Sequence, residues 1–97
     1  MTKFGEIISS DKPVLLDFYA DWVDSDPSME TLRDVAAALG DKARVIKIDI
    51  KKNKELVEAL RIKGNPTFMI YKSGEIKWRQ TGEQDANTLI GLVQKFF

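Results

Sequence analysis

The chain has 97 residues, 43% hydrophobic and 31% charged, which suits one small core under a soluble surface. Fifteen basic and fifteen acidic side chains leave no net charge, so no whole-molecule field draws the chain to nucleic acid or to an anionic membrane. Cysteine and histidine are both absent, which excludes disulfides, thiolate and imidazole metal sites, thiol catalysis and Ser-His-Asp chemistry.

In chain order, residues 3–9 form a short amphipathic opening with Phe4, Ile7 and Ile8 at helical spacing. Residues 14–20 follow Pro13 and are apolar on both alternating faces apart from Asp17, the pattern of a central strand covered on both sides. Asp26-Pro27-Ser28-Met29-Glu30 reads as a helix start: Asp26 can cap free amides, Pro27 tolerates the first turn, and Glu30 suits the positive helix end. Met29, Leu32, Ala36 and Leu39 mark the expected buried face, and Gly40 the stop.

Residues 44–50 alternate Val45, Ile46, Ile48 and Ile50 around Lys47 and Asp49, as a parallel strand reached by a helical crossover would. A short helix near 53–61 turns Leu56, Val57 and Leu60 inward. Two strand-like runs, 67–71 and 75–81, flank Lys72-Ser73-Gly74, a hairpin signal that makes the last pair antiparallel. A final helix starts near Asp85 and packs Leu89, Leu92, Val93 and Phe96. The order predicts a single α/β domain over residues 1–97: a four-stranded mixed sheet, two strands parallel plus a C-terminal antiparallel hairpin, with helices on both faces.

The ionisable side chains are segregated. Residues 1–41 carry three basic and nine acidic groups, whereas residues 42–63 carry eight and three. The basic block, including Lys51-Lys52-Asn53-Lys54, reads as solvated surface, because no aromatic stacking platform is interleaved with it for nucleic-acid bases. Asp21, Asp24, Asp26 and Glu30 form an acidic cluster without the loop glycine or ligand order of a calcium site, so no metal and no cofactor is expected. Ser25 has no base in any motif and is not a nucleophile. Residues 1–11 lack the basic start and apolar run of a signal peptide, and no stretch approaches the ~20 apolar residues of a membrane span. The expectation is a cytoplasmic monomer.

Phe18-Tyr19-Ala20-Asp21-Trp22 closes the first strand, and Gly64-Asn65-Pro66-Thr67, Lys72-Ser73-Gly74-Glu75 and Gly82 follow at set spacings. Together these motifs resemble the thioredoxin family over essentially the whole chain, with the usual N-terminal strand missing. The resemblance implies that Asp17 stands where the family keeps a buried acid and Lys47 where it keeps the partner lysine. It implies further that Pro66 follows a cis peptide bond beside the redox loop, and that Trp22, Asn65, Pro66 and Thr67 frame a groove for an extended peptide. The departures fall on the chemistry. After Trp22 the family has Cys-Gly-Pro-Cys; here stand Val23, Asp24, Ser25 and Asp26. No catalytic residue is therefore expected, and Trp22, Val23, Asp24, Ser25, Asp26, Asp17 and Lys47 are vestigial positions of a redox site. Redesign for stability and decay of a duplicated copy would both produce this pattern, leaving a fold without disulfide oxidoreductase activity or a redox-dead binding module. A thioredoxin-type reductase with its thiols replaced, and a weak peptide or metal binder, are the alternatives. Simple Cys→Ser exchanges would suit the former better than four altered loop positions.

Overall fold

An apolar run with no polar face has to lie where both of its faces are covered, and the run at 14–19 does so. The computed structural model describes residues 2–20, 27–64 and 66–97. They form α1 (Thr2–Ile8), β1 (Val14–Tyr19), α2 (Pro27–Leu39), a 3₁₀ turn (Gly40–Lys42), β2 (Arg44–Asp49), α3 (Lys54–Leu60), β3 (Thr67–Lys72), β4 (Glu75–Thr81) and α4 (Ala86–Gln94). The sheet order is β2-β1-β3-β4, with β1 parallel to β2 and the other pairs antiparallel. No strand precedes β1 among the described residues, as expected.

Alternation along β1 divides the interior. Leu15 joins Leu32, Val35, Leu39, Phe68 and Ile70 beneath α2 and α4, while Val14, Leu16 and Phe18 join Met69 and Tyr71 on the side of α1 and α3. Each large apolar side chain withdrawn from water contributes about 1.5–3 kcal/mol, so two clusters sharing one sheet are the main source of stability. Leu89 and Val93 of α4 are fully buried, and Leu92 and Phe96 pack against the same cluster. Leu56, Val57 and Leu60 of α3 are half-buried against the other.

The helix ends follow from particular residues. Asp85 caps α4, its carboxylate accepting the Thr88 N–H at 2.7 Å. Gly40 has φ 59°, a conformation open to glycine, and ends α2. The Arg79 guanidinium of β4 donates to the Leu60 and Arg61 carbonyls and so closes the C-terminus of α3. Ser73 and Gly74, both at positive φ, make the two-residue turn between β3 and β4.

One helical position differs from expectation. Val35, not Ala36, is buried on α2; Ala36 is exposed. Both fit an apolar stripe in spacing, but the sheet lies under Leu32, Val35 and Leu39, and the larger side chain takes the interior. The side chain of Met29 and the capping position Asp26 lie outside the described residues.

Candidate functional site

Parallel strands leave their carboxyl ends open to a ligand, and the predicted residues that the structure describes, Asp17, Lys47, Pro66 and Thr67, lie toward that end of β1 and β2. Asp17 is fully buried in β1, both carboxylate oxygens withdrawn from water. It lies in register with Lys47 of β2 on one side and Phe68 of β3 on the other. The lysine is exposed, so the register sets a dry carboxylate on the strand next to a cation at the water edge.

Residues two apart on a strand share a face, so Tyr19 follows Asp17 at the mouth of the same side, in register with Asp49. Burial first, then the Asp49 and Asp17 charges, raise the Tyr19 phenol above its ordinary value of 10.0. The Asp49 carboxylate in turn accepts the Lys51 N–H at 2.8 Å. Tyr19 and Asp49 were not among the expected site residues, although the register that pairs Asp17 with Lys47 also pairs these two.

The start of β3 stands beside the same end, because Thr67 is in register with Phe18. Thr67 is fully buried. Its hydroxyl donates to the Gly64 carbonyl at 2.7 Å and lies 3.2 Å from the Thr81 hydroxyl, while the Pro66 carbonyl accepts the Gly82 N–H at 2.9 Å. The side chain of Thr67 therefore braces the turn from within and leaves half-buried Pro66 as its outer face. Trp22, Val23, Asp24, Ser25, Asp26 and Asn65 lie outside the described residues, as do Asp21 of the acidic cluster and the Asn65-Pro66 bond. Glu30, the cluster's remaining member, is exposed in the first turn of α2.

The family model for thioredoxin matches residues 1–95. The chain belongs to the thioredoxin family. It is similar to thioredoxin Y, a chloroplastic protein of Oryza sativa subsp. japonica, at 39% identity over 95 residues, which are 96% of this chain and 56% of that one. The thioredoxin of Rickettsia prowazekii is 33% identical over 92 residues, 94% of this chain and 88% of its own length. Among solved structures, a single-site mutant thioredoxin from Halobacterium salinarum superposes with a TM-score of 0.82 at 32% identity, over 99% of this chain and 84% of that one. The chain thus spans little more than half the length of the plant relative. The thioredoxin-like fold read from the sequence is shown by this match and by the mixed four-stranded sheet.

What a thioredoxin site can do depends on cysteine thiols, and this chain has none. Disulfide exchange needs a thiolate to attack and a second thiol to release the mixed disulfide. Asp17, Lys47, Tyr19 and Asp49 can bind, orient and transfer protons, but none of them can form that bond. Among the described residues no helix is long and apolar enough to cross a membrane.

Proposed function

We propose that this chain is a thioredoxin-family domain without disulfide oxidoreductase activity, a monomeric cytoplasmic binding module that holds an extended peptide across Trp22, Asn65 and Pro66, while Thr67, expected in that groove, is fully buried and braces the turn from within. The observation that carries the reading is the absence of every cysteine from a chain that otherwise retains the family's fold. The turn at Pro66 supports the peptide half: its carbonyl and the buried Thr67 hydroxyl are tied to β4 and to the turn itself, so a bound chain would meet a fixed surface. Because some relatives are named as chloroplastic, localising a tagged full-length protein decides the compartment.

Restoration is the sharper test, since the chain as written is expected to reduce no disulfide above buffer. Val23→Cys with Asp26→Cys is expected to recover weak dithiothreitol-driven reductase activity, because the Asp24 carboxylate between the thiols raises a thiol pKa and opposes thiolate attack. Adding Asp24→Gly, Ser25→Pro and Pro27→Lys removes that charge and supplies a cation. Activity should rise at least about tenfold, the equivalent of one pKa unit. A five-substitution variant that folds, forms its disulfide and does no better refutes the vestigial redox site. For the peptide half, Trp22 fluorescence in a Trp78→Phe background should respond to extended peptides, and Pro66→Ala should weaken that response; no response at millimolar peptide defeats it.

A further inference from the structure

The apolar stripe of α2 is wider than the sheet beneath it. Leu32, Val35 and Leu39 point into the core, yet exposed Ala36 sits beside the flank of the sheet, where β2 has no outer neighbour among the described residues. Between helix and edge strand runs a shallow groove of about 180 Å³, whose described lining is Leu32, Ala36 and Val45 with Arg33 and Lys47. The strand also turns backbone groups outward. The Arg44 N–H donates to the Pro13 carbonyl and the Ile50 N–H to the Tyr19 carbonyl, so the even-numbered residues face β1, and strand alternation aims the Val45 amide the other way.

We propose that this edge accepts a further strand in trans: an extended acidic peptide that pairs with β2 at Val45, sets an aliphatic side chain over Leu32, Ala36 and Val45, and places a carboxylate on Arg33. Main-chain pairing would supply affinity and the groove specificity, as in strand addition generally. Charge selects the occupant. Arg33, Arg44 and Lys47 are exposed, and no carboxylate lines the groove among the described residues. A second copy suits the edge less well. Two antiparallel β2 strands would bring Arg44 and Lys47 of both copies into one ladder against one half-buried Asp49 from each, and like charges across a ladder are destabilising.

The site shares no residue with the peptide surface proposed above, so its failure leaves that reading standing. The probe is a fluorescein-labelled peptide repeating Thr-Val-Thr-Glu, whose valines and glutamates share one face, titrated against the whole chain by anisotropy. It should bind at least about tenfold more tightly than its glutamate-to-lysine counterpart at low salt, a gap that salt narrows. Arg33→Glu should abolish the preference. Val45→Pro removes the outward N–H and no bond to β1, and proline is tolerated on edge strands, so it should weaken binding about tenfold while the melting temperature holds. Should that variant not fold, hydrogen exchange of the Val45 amide in the unmodified chain answers the same question, and saturating peptide should slow it. No binding at millimolar peptide, equal binding of the two peptides, or binding that leaves Val45 exchange unchanged overturns the proposal.

Discussion

Asp17 is where composition and burial disagree most sharply. A carboxylate in a fully buried strand position loses its hydration, and an exposed lysine in register on the next strand offsets at most part of that loss. Asp17→Asn keeps the shape and removes the charge, and should stabilise the domain by about 1–3 kcal/mol at pH 7. Urea denaturation measures it; a lower midpoint for both Asp17→Asn and Asp17→Leu would show that the carboxylate belongs to a satisfied network. Asp85 is the opposite case, an exposed acid whose capping bond to the Thr88 N–H holds its carboxyl below 3.8. Because the folded-state value is depressed, its contribution is present above the unfolded value and is lost as pH falls through the folded one. Asp85→Ala should lower the thermal midpoint at pH 7 and make little difference in strong acid, where the carboxyl is neutral in both states. The two chains melting apart by the same margin at pH 2 would separate the effect from the charge.

At the scale of elements, local chemistry was legible wherever it was decisive: a helix start near Asp85, Gly40 as a stop, Lys72-Ser73-Gly74 as a hairpin signal, with the Asp85 cap and the two-residue turn at Ser73-Gly74 added by the structure. Ala36 was misread because periodicity defines a stripe of helix surface and cannot say which edge of that stripe the sheet covers. The closure of α3 by Arg79 was illegible for a different reason, since the contact joins residues eighteen and nineteen apart and leaves no trace in spacing. Gly64 behaves likewise. A Cβ there would lie 2.8 Å from the Thr81 methyl carbon, and Thr81 is held in place by its hydroxyl contact with Thr67. Gly64→Ala should therefore cost about 1–3 kcal/mol, as overpacking does, and should fall well short of that in a Thr81→Ser background, which lacks the methyl. A double-mutant cycle by urea denaturation reads the coupling; equal costs in both backgrounds would place the strain elsewhere.

For the whole molecule, the fold was legible because strand and helix signals alternate in an order that few architectures satisfy, while the site was legible only as a set of departures. Tyr19 and Asp49 emerged from register, a property of two strands together. The same global view predicts the pH profile of stability once Asp17→Asn has removed the interior carboxyl. On the acid side Glu75, lowered by its hydrogen bond and charge contact with Lys77, acts with Asp85, and both contributions vanish as pH falls through their folded values. On the alkaline side the fold raises the phenols of Tyr71 and Tyr19, chiefly by burial. Raised values mean that the folded state holds these protons more tightly, so above pH 10 the unfolded chain releases its own first and stability declines as pH climbs through the folded values. Between the two limbs no side chain of the chain has its ordinary value near neutrality, since it has neither histidine nor cysteine. Urea midpoints of the Asp17→Asn chain should therefore be flat from about pH 6 to pH 9 and fall on both sides. Tyr71→Phe should flatten the alkaline limb more than Tyr19→Phe, because Tyr71 is buried and packs edge-on at 5.8 Å against Phe4, whereas Tyr19 is only half-buried. An inflection near pH 7, or an alkaline limb indifferent to Tyr71, would mean that a group other than these governs the pH dependence of the fold.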